Sequence, residues 1–175
     1  MSQRASDTSG RSPEPIAPDR AALDRLEDWL IEQGLRGRGL APLIEGLGDG
    51  LLAAGLSVTR VHVSMATLHP TLSALGSTWW QVEGVRAEDY AHGDQQHDAW
   101  QQSPLRAMVA DDIGYMRRRL TGPSALLDYP VLHEFRAQGA TDWAAWLRRF
   151  GDDAQPTGLP GMLVSVVGDR PDGFT

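Results

Sequence analysis

The chain has 175 residues and a formal net charge of −7, and all 16 of its basic residues are Arg, with no Lys and no Cys. That length suits one domain, and the lack of Cys excludes a disulfide framework, a thiolate zinc site, a Cys nucleophile and a thioether-linked cofactor. An acidic pI near 5.1 disfavours a nucleic-acid partner, and no stretch approaches the roughly eighteen apolar residues of a membrane span, so a soluble, cytoplasmic protein is expected.

Residues 1–18 are Ser, Pro, Arg and Asp with hardly an apolar side chain. They cannot bury enough surface to offset the entropy of ordering, which predicts a disordered leader, and a single domain over 19–175. Asp19 then serves as the N-cap of a helix with Leu23, Leu26 and Leu30 on one stripe and Trp29 beside it, stopping near Gly34. After "GLRGRG" a second helix carries Leu40, Leu43, Ile44, Leu47 and Leu51 and ends at Gly55. Gly46, Gly48 and Gly50 each weaken that helix by roughly 1 kcal/mol, a cost that a close helix–helix or helix–sheet approach would explain. "GLGDG" has neither the spacing nor the preceding strand of a phosphate loop.

The period then becomes two. In "SVTRVHVSMATLHP", Val61, Val63 and Met65 face one way and Arg60, His62 and Ser64 the other, a half-buried strand ended by Pro70. "STWWQVEGVRAEDYAHG" follows as one strand in which Trp80 and Val82 alternate with Trp79, Gln81 and Glu83, pairing antiparallel with the first. Ser103 and Pro104 open a helix, "IGYMRRRL" is a short strand, and "DYPVLHEFRAQG" is a helix with Pro130 at its start and Leu132 and Phe135 inward. "TDWAAWLRRFGDD" and "GMLVSVVGDRP" form a closing hairpin. The expected order, α-α-β-β-α-β-α-β-β, describes an α+β domain with an antiparallel sheet covered by helices.

Several groups invite a chemical reading. His92 and His97, with Asp94 and Asp98, have metal-binding side chains in "HGDQQHDAW", but nothing there fixes their geometry and a solvated loop is the better reading. His62 lies on the more polar face of its strand, so a solvent-facing or interface position outweighs a sensor role; His69, an odd number of residues away, falls on the opposite face. The aromatics Trp79, Trp80, Trp100, Tyr115, Tyr129, Trp143 and Trp146 concentrate in the second half. Trp80 and Tyr129 are candidates to line a ligand pocket between sheet and helices, against the plainer alternative that they fill the core or a dimer contact. Trp79 and Trp80 cannot face the same side, so one of them needs a further cover. Arg117 and Arg119 share a strand face and are positioned to clamp an anion, unless nearby Asp or Glu pairs with them. No nucleophile elbow or His-Glu metalloprotease pattern occurs.

The segments "RVHVSMATLHP", "SPL", "RRRLTGP", "DYPVLHEFRAQGATDW" and "DRPDGFT", taken in order, resemble the N-terminal region of bacterial class III adenylate/guanylate cyclases. There a GAF-like domain precedes the catalytic domain. The resemblance spans roughly residues 23 to 175 and implies a GAF-like antiparallel sheet flanked by helices, a cytoplasmic location, a homodimer and a partner cyclase domain. It also implies a helix after "DRPDGFT", with Thr175 as its cap, so the domain is expected to stop short of its last helix. No catalytic residue and no cofactor are carried over. The function so implied is a non-catalytic sensory or regulatory domain acting on a cyclic-nucleotide output through a small ligand, a dimer rearrangement or both. His62, Trp80, Trp100, Tyr115, Arg117, Arg119 and Tyr129 are its candidate ligand contacts. A structural dimerisation module and a small metal-dependent enzyme are the alternatives.

Overall fold

Three glycines spaced two apart set the layering of one half of the molecule. Successive members of such a series lie about 200° apart on a helix, so Gly46 and Gly50 face one way and Gly48 the other. In the computed structural model, which describes residues 17–67, 72–91, 98–150 and 161–174, they lie in α2 (Leu40–Ala53), packed between α1 (Arg20–Leu35) and the sheet. A Cβ at Gly46 would come within 2.1 Å of the Trp29 ring and one at Gly50 within 2.4 Å of Leu26, both on α1. At Gly48 it would come within 2.3 Å of Trp79, on the sheet. The helix gives up intrinsic stability for close approach on both sides. Asp19 caps α1 by accepting from the Ala22 N–H at 3.2 Å, and Gly55, at φ +83°, follows the end of α2.

The sheet has six antiparallel strands: β1 (Val58–Ala66), β2 (Leu72–Trp80), β3 (Gly84–Ala91), β4 (Tyr115–Arg119), β5 (Asp142–Arg148) and β6 (Met162–Gly168), in the spatial order β3-β2-β1-β6-β5-β4. Three short helices, α3 (Asp98–Gln101), α4 (Pro104–Ala110) and α5 (Pro130–Ala137), complete the chain. The expected α+β arrangement of an antiparallel sheet flanked by helices is the one observed. Two expectations change. "STWWQVEGVRAEDYAHG" is a hairpin rather than one strand: the chain turns at 81–83, Gly84 takes φ +79°, and Trp80 pairs with Gly84 and Trp79 with Val85. Val82 stands 94% exposed at that turn, out of any alternation. Strand β1 is not half-buried either. It lies between β2 and β6, with α2 over Val61 and Val63, while its Arg60, His62 and Ser64 face line a cavity roofed by α3–α5, so His62 is only 5% exposed.

Each face of the sheet has its own core. Ile44, Val58, Val61, Val63 and Trp79 fill the α2 side, and Met108, Leu120, Leu132, Trp143 and Leu163 fill the side of α4 and α5. The last described residues close over the β4–β5 end of the sheet. Arg119 donates to the Pro171 carbonyl at 2.9 Å, and the Phe174 N–H donates to Asp142 at 2.9 Å. Gly173, at φ +74°, makes the Asp-Gly turn with its N–H bonded to the Arg170 carbonyl. Residues 1–16 of the expected leader, together with Pro70, His69, His92, Asp94, His97 and Thr175, lie outside the described residues, and with them most of the loop read as solvated and the expected terminal cap.

Candidate functional site

Alternation along β1 aims Arg60, His62 and Ser64 at the side of the sheet covered by α3, α4 and α5. These helices are short, so they roof the sheet without filling the space beneath. Ser103 starts α4 by accepting from the Leu105 N–H at 3.1 Å, with Pro104 in its first turn, and Pro130 opens α5. Between roof and sheet lies a cavity of about 930 Å³, within the range of small-molecule sites. Trp100, Leu105, Val109 and Phe135 line it from the helices; Trp143, Leu147 and Leu163 line it from β5 and β6.

Its polar end is built on β1, β2 and β3. His62 Nδ1 lies 2.7 Å from the Thr78 hydroxyl, directly across the β1–β2 pair. Thr78 donates its only proton to Glu88 at 2.9 Å, and the Tyr90 hydroxyl donates to the other oxygen of Glu88. With the Thr78 proton committed and Glu88 ionised, the His62–Thr78 bond forms only if Nδ1–H is the donor. That assigns the tautomer: Nδ1 carries the proton and Nε2 keeps a lone pair. Nε2 has no partner among the described residues, and no wholly buried side-chain nitrogen or oxygen lacks one, so Nε2 opens to the cavity. Gly76 makes room for this chain of bonds, since a Cβ there would come within 2.8 Å of the Tyr90 ring.

The electrostatics follow from burial. Burial, reinforced by the Arg60 charge and only partly opposed by Glu88, lowers the His62 pKa to about 4, so the ring is neutral at pH 7. Burial alone would raise Glu88, but hydrogen bonds from Tyr90 and Thr78 and the charges of His62 and Arg60 outweigh it and hold the carboxyl below its usual value. Burial, with the bond to Glu88, pushes the Tyr90 phenol up. Burial lowers Arg60, against the opposing pull of Glu88 and Tyr90. The Arg60 guanidinium lies over two rings, 5.5 Å from the centroid of Trp80 and 5.4 Å from that of Phe135.

The residues singled out in the sequence are dispersed. His62 and Trp100 meet at the cavity. Trp80 faces away from Trp79, as alternation requires, and is covered by Arg60 and Arg86 rather than by the cavity. Tyr115 is 51% exposed and packs on Trp146 at the far strand. Arg117 and Arg119 do share a face, but the anion between them is Asp142, fully buried, at 2.6 and 3.3 Å. Arg118 pairs with Asp128 and lies over Tyr129, which borders a separate depression near His133. Arg60, Thr78, Glu88 and Tyr90 were not singled out. The alternation Arg86, Glu88, Tyr90 in "VRAEDY" was their available signal, hidden while the hairpin was read as one strand. Among the described residues no three His, Asp or Glu side chains cluster to hold a metal, and no helix is long and apolar enough to cross a membrane.

Six antiparallel strands with helices on both faces form an α+β fold. A solved structure similar to the chain is the chromophore binding domain of Stigmatella aurantiaca phytochrome P1, wild-type, at 12% identity and a TM-score of 0.40. The match covers 91% of this chain and 55% of that one, so the chain spans about half the length of the solved chain it matches. No protein-family model and no curated protein matches the sequence.

Proposed function

We propose that the chain is a sensory or regulatory domain that holds a small molecule between its sheet and helices α3–α5 and performs no catalysis itself. The cavity of about 930 Å³ with one polar end carries this reading. Its walls are largely apolar, Arg60 and His62 stand together at its polar end, and among the described lining residues no serine is bonded to a histidine or a carboxylate. The output is a cyclase domain making a cyclic nucleotide. Support for that finer step comes from the ordered run of segments from "RVHVSMATLHP" to "DRPDGFT". The ligand acts only if it binds two arrangements of the domain with different affinity. Titration of cyclic nucleotides and cytoplasmic metabolites, followed by tryptophan fluorescence, is expected to give a saturable change that Trp100→Phe diminishes. A cyclase fused after residue 175 is expected to change rate over the same concentration range. The ligand reading fails if no compound binds, and the cyclase reading fails if binding leaves the rate unchanged.

A second reading rests on α1, whose Ile31 and Leu35 are 56% and 85% exposed one turn apart. This stripe would make the domain a homodimer through α1. Sedimentation equilibrium of the wild type and of Ile31→Glu/Leu35→Glu decides it: a dimer that the double variant dissociates supports the reading, and a monomer at all concentrations removes it.

A further inference from the structure

Arg86, Arg117, Arg118 and Arg119 each hold a carboxylate. Arg60, the one Arg among the described residues lining the cavity, holds none, and no described carboxylate comes within ion-pair distance of it. Its two contacts are the rings of Trp80 and Phe135. Ring contact occupies the faces of a guanidinium and leaves the N–H rim, which lies in its plane, without an acceptor. Glu88, which lines the same cavity, is already engaged by Thr78 and Tyr90. The same bonds leave the His62 Nε2 lone pair without a donor. The polar end of the cavity thus offers a fixed cationic donor edge beside a single neutral acceptor.

Building on the reading of this cavity as a ligand site, we propose that it receives an organic monoanion with an apolar body. The acid group, of carboxylate type, seats on the Arg60 rim, and an N–H or O–H of the ligand donates to His62 Nε2. Planar two-oxygen acids match the guanidinium edge. A single negative charge is matched by the one guanidinium among the described lining residues: Arg60 can compensate one charge, Asp89 and Glu134 are exposed and screened by solvent, and any second charge would face the carboxylate of Glu88 uncompensated. A dianion would meet net repulsion, and a neutral ligand would expel water from Arg60 without replacing its hydrogen bonds. The apolar body lies against Trp100, Trp143 and Leu105.

Two dyes of one skeleton test the charge requirement. 8-Anilinonaphthalene-1-sulfonate is a monoanion with an amine N–H; N-phenyl-1-naphthylamine is the same molecule without the sulfonate. In fluorescence titrations of the full chain, the anion is expected to bind about tenfold or more tighter than the neutral dye. Arg60→Gln is expected to remove that preference while leaving the neutral dye's affinity in place, which also shows that the cavity persists, and Arg60→Lys is expected to restore part of it. His62→Phe is expected to weaken both dyes, since both carry the N–H. Arg106→Gln, exposed on α4 away from the cavity, is expected to change neither. Equal affinities in the wild type, or an anion preference that survives Arg60→Gln, would overturn the proposal while leaving a neutral-ligand site standing. Failure of both dyes to bind would overturn the small-molecule reading as well.

Discussion

The two faces of the sheet are made from the same strands yet differ in kind. On the α1–α2 side Trp79 lies against a glycine, the helix comes down onto the strands, and the space between is closed by Val61, Val63 and Ile44. One residue later in the chain, Trp80 faces the other side, where short helices stand off and a cavity remains. On the α1–α2 side the helix backbone itself makes contact, because α2 gave up three side chains. On the α3–α5 side Leu132 and Met108 reach the sheet near β5, while the β1–β3 end is left to Arg60, His62 and Glu88. Closeness on one face supplies the stability that the open face forgoes.

Adding bulk to each face in turn is the strongest way to break this contrast. Gly48→Leu drives a side chain into Trp79 and is expected to destabilise the fold by about 3 kcal/mol in urea unfolding. Ser64→Leu places the same bulk in the cavity and is expected to change stability by less than about 1 kcal/mol while abolishing dye binding. Equal losses of stability would mean that the faces are packed alike.

Acid probes the open face through His62. His62 is lowered from 6.5 to about 4 in the folded chain by burial and by Arg60. The unfolded chain therefore binds the proton first as pH falls. The His62 contribution is full above pH 6.5, declines through the window from about 6.5 to 4, and levels off below it. The total loss is on the order of 2–3 kcal/mol. His62→Gln is expected to flatten that part of the profile; an unaltered slope would place the acid sensitivity elsewhere.

Smaller effects sharpen the picture. Ser103→Ala removes the cap of α4 and is expected to cost about 1 kcal/mol, with a loss in dye affinity as well because Ser103, Pro104 and Leu105 of this turn line the cavity. Val82→Lys, at the turn between β2 and β3, is expected to stay within about 0.5 kcal/mol. A large loss there would favour the continuous strand over the hairpin.

Where a local rule decides structure, the sequence was readable. Asp19, Gly55, Ser103 and Pro130 mark helix ends by their own chemistry, and the glycine series announced a close approach before its partners were known. The hairpin escaped because Val82 continues the apolar alternation of Trp80 across the turn, leaving Gly84 as the sole break. The polar end of the cavity escaped for a different reason. His62, Thr78, Glu88 and Tyr90 meet only once three strands are in register, and their charges, read singly, look like a solvated surface. The partner of Arg117 and Arg119 is Asp142, more than twenty residues onward, beyond the reach of any local pattern.

Asp142 also anchors the last described turn. Its carboxylate holds Arg117, Arg119 and the Phe174 amide, while its neighbour Trp143, on the opposite side of β5, forms part of the cavity wall. One peptide unit therefore joins the cavity wall to the anchor of the turn at 171–174. A twist of that strand caused by whatever presses on Trp143 would be delivered as torque at residue 174, with the rigid sheet as fulcrum and no slack loop in between.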